Sequence, residues 1–280
     1  MAKFDNIIIV SDIDETFLGK RGRMVSENLE AIEYFKKNGG SFTVATGRED
    51  YLILSSIPNI HEIVNIPIIG CNGAYICDMN DRSIKYEVFL DYEKVKPIID
   101  KCAELEPDLW MRVSSDGKMY CTIAPNIGGN WYTVFGDRLF VGDIHKESDT
   151  ARWHKILFEG TVEKVNHIRE YFDTLPDDVP FEFIYAHPTV LEIMPKDGTK
   201  GMMLQKLKEV IGKPDATVFT VGDYENDEQM LRMADRCATP LNGMDYLKEI
   251  PGILVLCDND TGAIADLIGR IEKEIDSGNL

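Results

Sequence analysis

Two blocks of alternating strand and helix, separated by a stretch with a different rhythm, predict an α/β fold. The expected architecture is a doubly wound parallel sheet interrupted by an inserted α+β domain. In the first block, Asn6–Val10 is a short apolar run rich in β-branched residues, as expected of a strand buried on both faces. Ser26 is placed as the N-cap of a helix whose apolar face carries Leu29, Ile32 and Phe35 and which ends at Gly39-Gly40. Ser41–Ala45 and Ile66–Cys71 supply the next two strands. This alternation of strand and helix argues for a parallel sheet with right-handed crossovers.

The second block repeats the pattern. Val190–Met194 is expected to resume the core sheet, followed by a helix over Lys200–Ile211 with Met203, Leu207 and Val210 on one face. Strands over Thr217–Val221 and Ile253–Leu256, a helix over Asn226–Met233 and a final helix from Gly262 to Ile275 complete it. Between the blocks, Tyr75–Cys77 and Ile84–Glu87 flank the turn-forming Asn80-Asp81. A helix (Tyr92–Leu105), two short strands about Ser115-Asp116-Gly117 and a Gly-rich stretch (Pro125–Gly136) come next. A strand (Trp153–Phe158), a helix (Val162–Phe172) and a strand (Phe181–Tyr185) close the insertion. The joints are placed near Val88–Leu90 and Ala186-His187-Pro188, which divides the chain into a discontinuous core (1–87 and 188–280) and an insertion (88–187).

Charge narrows the function. Lys and Arg number 30 against 48 Asp and Glu, a net charge of −18, which weighs against a nucleic-acid partner or an anionic membrane surface. No apolar run is long enough to span a bilayer, and the N-terminus lacks the apolar region of a signal peptide. Six scattered cysteines form no CxxC pair and the five histidines make no metal-like cluster, so reduced thiols in a cytoplasmic protein are expected.

Four polar clusters fall at the carboxyl ends of predicted core strands or beside them, where open α/β sheets place ligands. Asp12-Ile13-Asp14-Glu15-Thr16 follows the first strand; two carboxylates there are costly unless a cation or catalysis uses them. Thr46-Gly47-Arg48 follows the second and offers a hydroxyl and amides to an anion. Lys200 sits at a helix start, where the macrodipole disfavours a cation unless an anion is bound. Gly222-Asp223-Tyr224-Glu225-Asn226-Asp227 follows the Thr217–Val221 strand. Taken singly, each is equally compatible with a turn, a helix cap or a solvated surface.

Together, and in this order, they resemble the motifs of the haloacid dehalogenase (HAD) superfamily of phosphatases: DxDxT, T-G-R, a lone lysine and GDxxND. The Cof-type branch, with an α/β cap inserted after the third core strand, is the nearest match, and Asn72-Gly73-Ala74 resembles its N-G-A segment. The resemblance spans Ile7 to Ile268. It implies a Rossmann-like core, a cap acting as a lid, and a Mg²⁺-dependent phosphohydrolase working on a small phosphorylated metabolite. In that scheme Asp12 is the nucleophile that forms an aspartyl-phosphate, and Asp14 is the general acid and base. Asp12, Asp223 and Asp227, with the backbone carbonyl of Asp14, hold the metal. Thr46, Gly47 and Lys200 cradle the phosphoryl group, Asn72 orders substrate or loop, and Asn226 orients Asp227 or Lys200. Arg48 makes either a phosphate contact or a structural salt bridge. In the cap, Trp131, Arg152, Trp153 and His154 are eligible for substrate selection. One departure stands out: the branch usually has glycine where this chain has Glu15. Three alternatives stay open: a phosphomannomutase-like phosphomutase, a receiver-like phosphoacceptor, and a binding module without catalysis.

Overall fold

The computed structural model describes residues 2–122 and 135–280. Its core is a five-stranded parallel sheet formed by β1 (Ile7–Ser11), β2 (Ser41–Val44), β12 (Thr217–Val221), β13 (Arg236–Thr239) and β14 (Leu254–Val255), in the order β14-β13-β12-β1-β2. The period-2 alternation of β1 explains why it can stand in the middle. Ile7 and Ile9 point into a cluster with Phe42, Phe35 and Leu267, under the helices Ser26–Lys37 and Ala263–Asp276. Ile8 and Val10 point into a second cluster with Val218, Leu204 and Met230, under the helices Met202–Val210 and Glu228–Met233. A strand covered on both faces has no room for polar alternation, hence its continuous apolar run.

The order places β1 between β2 and β12, so the chain leaves β1 in opposite directions on its two sides and a crevice opens at the strands' carboxyl ends. Ser11 is in register with Val44 on one side and Val221 on the other. The three strands therefore end at one level, and the residues that follow each share one edge.

Next to β2, β3 (Ile68–Gly70) continues the sheet only through a parallel bridge from Ile69 to Ala45. It pairs instead with β4 (Tyr75–Cys77), which pairs with β5 (Ile84–Glu87), as a small antiparallel sheet. The remaining strands are β6 (Trp110–Ser115), β7 (Lys118–Cys121), β8 (Leu139–Val141), β9 (Trp153–Glu159), β10 (Phe181–His187) and β11 (Val190–Pro195). They form a separate six-stranded sheet of order β10-β11-β9-β6-β7-β8. Helices Tyr92–Leu105 and Val162–Phe172 cover one of its faces, burying Met111, Val113, Ile156, Phe158, Leu191 and Ile193. The alternate residues, Arg112, Ser114, Lys155, Leu157, Val190 and Glu192, take the opposite face.

Two expectations need correction. The strand over Val190–Met194 does not resume the parallel core: β11 pairs antiparallel with both β9 and β10 in the six-stranded sheet. The chain returns to the core after Pro195, beyond the joint expected at Ala186–Pro188. An apolar strand satisfies either sheet equally well, and only its partners decide. Ser26 is likewise not an N-cap. Val25 occupies that position, and the Ser26 hydroxyl donates to Glu27.

Candidate active site

The first cluster leaves β1 through Asp12, whose amide donates to the Val221 carbonyl at 2.8 Å and so extends the β1–β12 ladder by one bond. The backbone then turns sharply over Ile13–Phe17, closed by the Phe17 amide on the Asp12 carbonyl. Within that turn Glu15 has φ +55°, in the left-handed region where a Cβ is disfavoured by about 1–2 kcal/mol. This gives a physical reason for glycine at the position. The Glu15 side chain is exposed, with Asn259 Nδ2 3.4 Å from its Oε2. Replacing it, Glu15→Gly, relieves the backbone at some cost in unfolded-state entropy. A net gain of about 0.5–1 kcal/mol is expected, read as a rise of roughly 1–3 °C in the thermal midpoint. An unchanged or lower midpoint would show that the left-handed turn carries no strain.

Thr16, buried, donates from its hydroxyl to Asp223 Oδ1 at 2.5 Å, tying the first cluster to the fourth. Gly222 is required there: a Cβ would lie 2.4 Å from the Cβ of Asp227. That closeness lets the Asp223 and Tyr224 amides donate to Asp227 Oδ2 at 2.9 and 3.3 Å. The other Asp227 oxygen accepts from Lys200 Nζ at 2.7 Å, and Lys200 also donates to Asp12 Oδ1 at 2.6 Å. Lys200, only 1% exposed, thus bridges two buried carboxylates. Its own segment is held by Gly73, whose φ is +110° and where a Cβ would lie 2.2 Å from the Thr199 carbonyl carbon.

One ammonium does not balance these charges. Asp12, Asp223 and Asp227 bring carboxylate oxygens within 4.8 Å of one another, and among the described residues this is the group suited to a metal ion. Burial, and then the neighbouring Asp227 and Asp223, push the Asp12 carboxyl well above its usual range despite Lys200. Burial, and then Asp227, push Asp223 up to about 7. Burial opposes the charge on Lys200, but Asp12 and Asp227 outweigh it and hold the ammonium above its ordinary pKa. Three desolvated carboxylates crowded in this way, all oxygen donors, fit a hard divalent cation.

The other predicted residues surround this cluster. Asp14 has its side chain outside it, more than half exposed, with both oxygens on the Arg48 guanidinium (Nε to Oδ2, 2.8 Å). Of the two readings for Arg48, the structure displays the salt bridge. Thr46 is fully buried, and its hydroxyl accepts from the Arg48 amide at 3.2 Å. Asn72 is buried too, with φ +55°, and its amide donates to the Thr46 carbonyl at 2.8 Å. Asn226 Nδ2 donates to Asn72 Oδ1 at 3.1 Å, where it was expected to orient Asp227 or Lys200. A cavity of about 600 Å³ opens over the strand ends. Asp12, Asp14, Gly47, Arg48, Asp223 and Asn226 line it, while Thr46, Asn72, Lys200 and Asp227 lie behind its wall.

The far wall belongs to the six-stranded sheet. Arg112, Leu157 and Glu192 form one row across β6, β9 and β11, and Lys155 lies in the next row beside Ser114. None of Arg112, Lys155 and Glu192 was anticipated. The available signal was a lone charged residue inside each of three largely apolar strands, which demands a partner if the strand is buried. The cap residues that were anticipated lie elsewhere. Trp153 is buried with its indole N–H on Ser148 Oγ at 2.7 Å. Arg152 and His154 pair with Glu87 at 3.1 and 3.3 Å and line a second cavity of about 420 Å³. Trp131 lies outside the described residues.

Comparison with known proteins gives the same family as the motifs. A sequence profile of haloacid dehalogenase-like hydrolases matches residues 9–268. The 5-amino-6-(5-phospho-D-ribitylamino)uracil phosphatase YitU of Bacillus subtilis is 26% identical over 281 residues, covering 95% of this chain and 96% of that protein. The HMP-PP phosphatase of Yersinia enterocolitica is 26% identical over 258 residues, covering 88% of each. Among solved structures, a haloacid dehalogenase-like hydrolase from B. subtilis superposes with a TM-score of 0.78 at 18% identity, covering 94% of this chain and 98% of that one. Among the described residues no helix is long and apolar enough to cross a membrane.

Proposed function

Because the chain belongs to the haloacid dehalogenase-like hydrolase family and is a phosphatase of that family, we propose that it is a Mg²⁺-dependent phosphohydrolase of a small phosphorylated metabolite, working through an aspartyl-phosphate on Asp12. The observation that carries this reading is the cluster of Asp12, Asp223 and Asp227 around Lys200, with Asp12 and Asp223 lining the cavity and Asp227 and Lys200 directly behind them. The metabolites named in the YitU and HMP-PP phosphatase relatives are both small phosphate compounds, and the cavity has room for one.

Each residue has a distinct task in this scheme. Asp12, Asp223 and Asp227, with the backbone carbonyl of Asp14, hold Mg²⁺. When bound, the ion supplies positive charge against the phosphoryl oxygens. Asp12 attacks phosphorus; the new O–P bond forms as the ester O–P bond breaks. Asp14 gives its proton to the leaving oxygen, then takes one from the water that attacks the phosphoryl group and returns the Asp12 carboxylate. Arg48 now occupies Asp14, so an entering phosphate must draw the guanidinium away to free it. Thr46 and the Gly47 amide receive the phosphoryl oxygens, and Lys200 keeps Asp12 ionised and aimed. The six-stranded sheet, with its helices, excludes water and selects the leaving group. Free thiols at all six cysteines suit a cytoplasmic setting.

The test has two arms. Phosphate release from a panel of phosphorylated metabolites should require Mg²⁺ and stop with a chelator; conversion of a hexose 1-phosphate to its 6-phosphate without release would favour the mutase instead. The second arm needs no substrate. The raised pKa of Asp223 means that its charged form is disfavoured in the fold, so its contribution to stability falls as pH rises from about 4 through about 7. Mg²⁺ should therefore raise the thermal midpoint more at pH 8 than at pH 5. An equal or smaller rise at pH 8 would count against metal binding by these carboxylates.

A further inference from the structure

Two charged residues on the cavity's far wall, Lys155 and Glu192, spend their polar ends on each other and on the core. Lys155 and Glu192 are each 2% exposed. Lys155 Nζ donates to Glu192 Oε1 at 2.7 Å and to the Gly47 carbonyl at 2.7 Å. The second Glu192 oxygen accepts from Asn72 Nδ2, and Asn72 in turn accepts from Asn226. Burial opposes the Lys155 charge, but Glu192 and Glu49 hold its pKa above the ordinary value.

The pair lies within one sheet, yet both of its outward bonds cross to the other domain. One meets the loop after β2, and the other the turn Cys71-Asn72-Gly73. That turn has φ +53°, +55° and +110° at consecutive residues, a conformation that persists only where its surroundings impose it. The Asn72 amide on the Thr46 carbonyl then ties the turn back to the same loop. Burying such an ion pair seldom adds stability over apolar residues of equal size. The pair's use must therefore lie in what it holds.

We propose that Lys155 and Glu192 are positioning residues that set the Thr46–Gly47 loop and Asn72 from the opposite sheet, so that the loop is in its phosphate-binding form only while that sheet is seated. This rests on the reading of Thr46 and Gly47 as the phosphate loop.

The test is the double variant Lys155→Met/Glu192→Met, whose side chains keep the length and packing but lose both cross-domain bonds. Binding of inorganic phosphate to the Mg²⁺-loaded protein, measured by calorimetry, should weaken about 10- to 100-fold, with kcat/KM for p-nitrophenyl phosphate falling by a similar factor. The thermal midpoint should stay within a few degrees. A folded double variant with unchanged phosphate affinity and kcat/KM would overturn the proposal. If that variant fails to fold, Lys155→Arg decides: its planar fork cannot replace one compact ammonium on both Gly47 and Glu192, so at least a threefold loss of phosphate affinity supports the assignment and no loss overturns it. A wild-type protein that neither hydrolyses phosphate esters nor binds phosphate would instead sink the phosphohydrolase reading itself.

Discussion

Asp12→Asn should abolish phosphate release while leaving the protein as stable as before, or more so. Asparagine is nearly isosteric but is no nucleophile toward phosphorus, and loss of a covalent nucleophile costs on the order of 10⁴-fold or more in kcat. The stability argument runs the other way. Asp12 is one of three carboxylates held within 4.8 Å, and its ionised form is disfavoured by burial and by Asp227 and Asp223. Removing that charge relieves its neighbours, while Lys200 keeps Asp227 as a partner at 2.7 Å. Phosphate release and a thermal scan with and without Mg²⁺ check both halves. The Mg²⁺-induced rise in midpoint should shrink, because one donor has become a weaker neutral amide. An Asp12→Asn variant retaining a tenth of the activity would overturn the nucleophile assignment.

Lys200→Met is expected to damage both activity and fold. Its ammonium is the hydrogen-bonding cation on Asp12 and Asp227, and without it the buried carboxylates face one another unbalanced. Breaking a buried pair from one side typically costs about 3–5 kcal/mol, which corresponds to a fall of roughly 10 °C in a chain of this size. The loss should depend on pH with a definite sign. A carboxylate whose folded pKa is raised loses stability as pH rises from its unfolded value through the folded one, and removing Lys200, which holds the Asp12 carboxyl down, raises that of Asp12 further. The variant should therefore approach wild type near pH 5 and fall furthest below it near pH 8, with Mg²⁺ restoring part of the difference. Activity should drop by a further 10²–10³-fold where the protein remains folded, as for loss of one electrostatic contact at a reacting centre. Thermal midpoints at several pH values settle the matter; a deficit that is flat with pH would mean Lys200 is not balancing these carboxylates.

The features that sequence reading captured are local ones. Asp12, Thr46 and Asp223 each follow their own apolar strand within a few residues, so strand recognition alone placed them at one sheet edge. The features it missed depend on which elements meet. Val190–Met194 reads as a strand, but whether it joins β1 or β9 is set by pairing partners far along the chain. Lys155 and Glu192 alternate with apolar residues as any half-buried strand would, and only the topology turns that face toward Gly47 rather than solvent. Asn226, next to Asp227 in sequence, reads as an orienter of Asp227 or Lys200, whereas its bond is to Asn72, 154 residues away in the chain. Glu15 shows the reverse case: an unexpected side chain that the backbone conformation explains as a tolerated strain at a site glycine would fill more easily.

The position of β1 in the sheet bears on how the protein is made. β1 is flanked by β2, which follows it closely, and by β12, which comes from the far end of the chain; the hydrogen bond from Thr16 to Asp223 spans 207 residues. At ribosomal rates of about 5–20 residues per second, that distance corresponds to roughly 10–40 s of synthesis. Throughout that interval the nascent chain carries a largely apolar strand with one open hydrogen-bonding edge, an arrangement prone to pairing with a neighbour's strand. The intervening six-stranded sheet does not cap that edge, which pairs with β12 alone. Expression of this protein is therefore expected to depend on temperature and chaperone supply more than its finished stability would suggest.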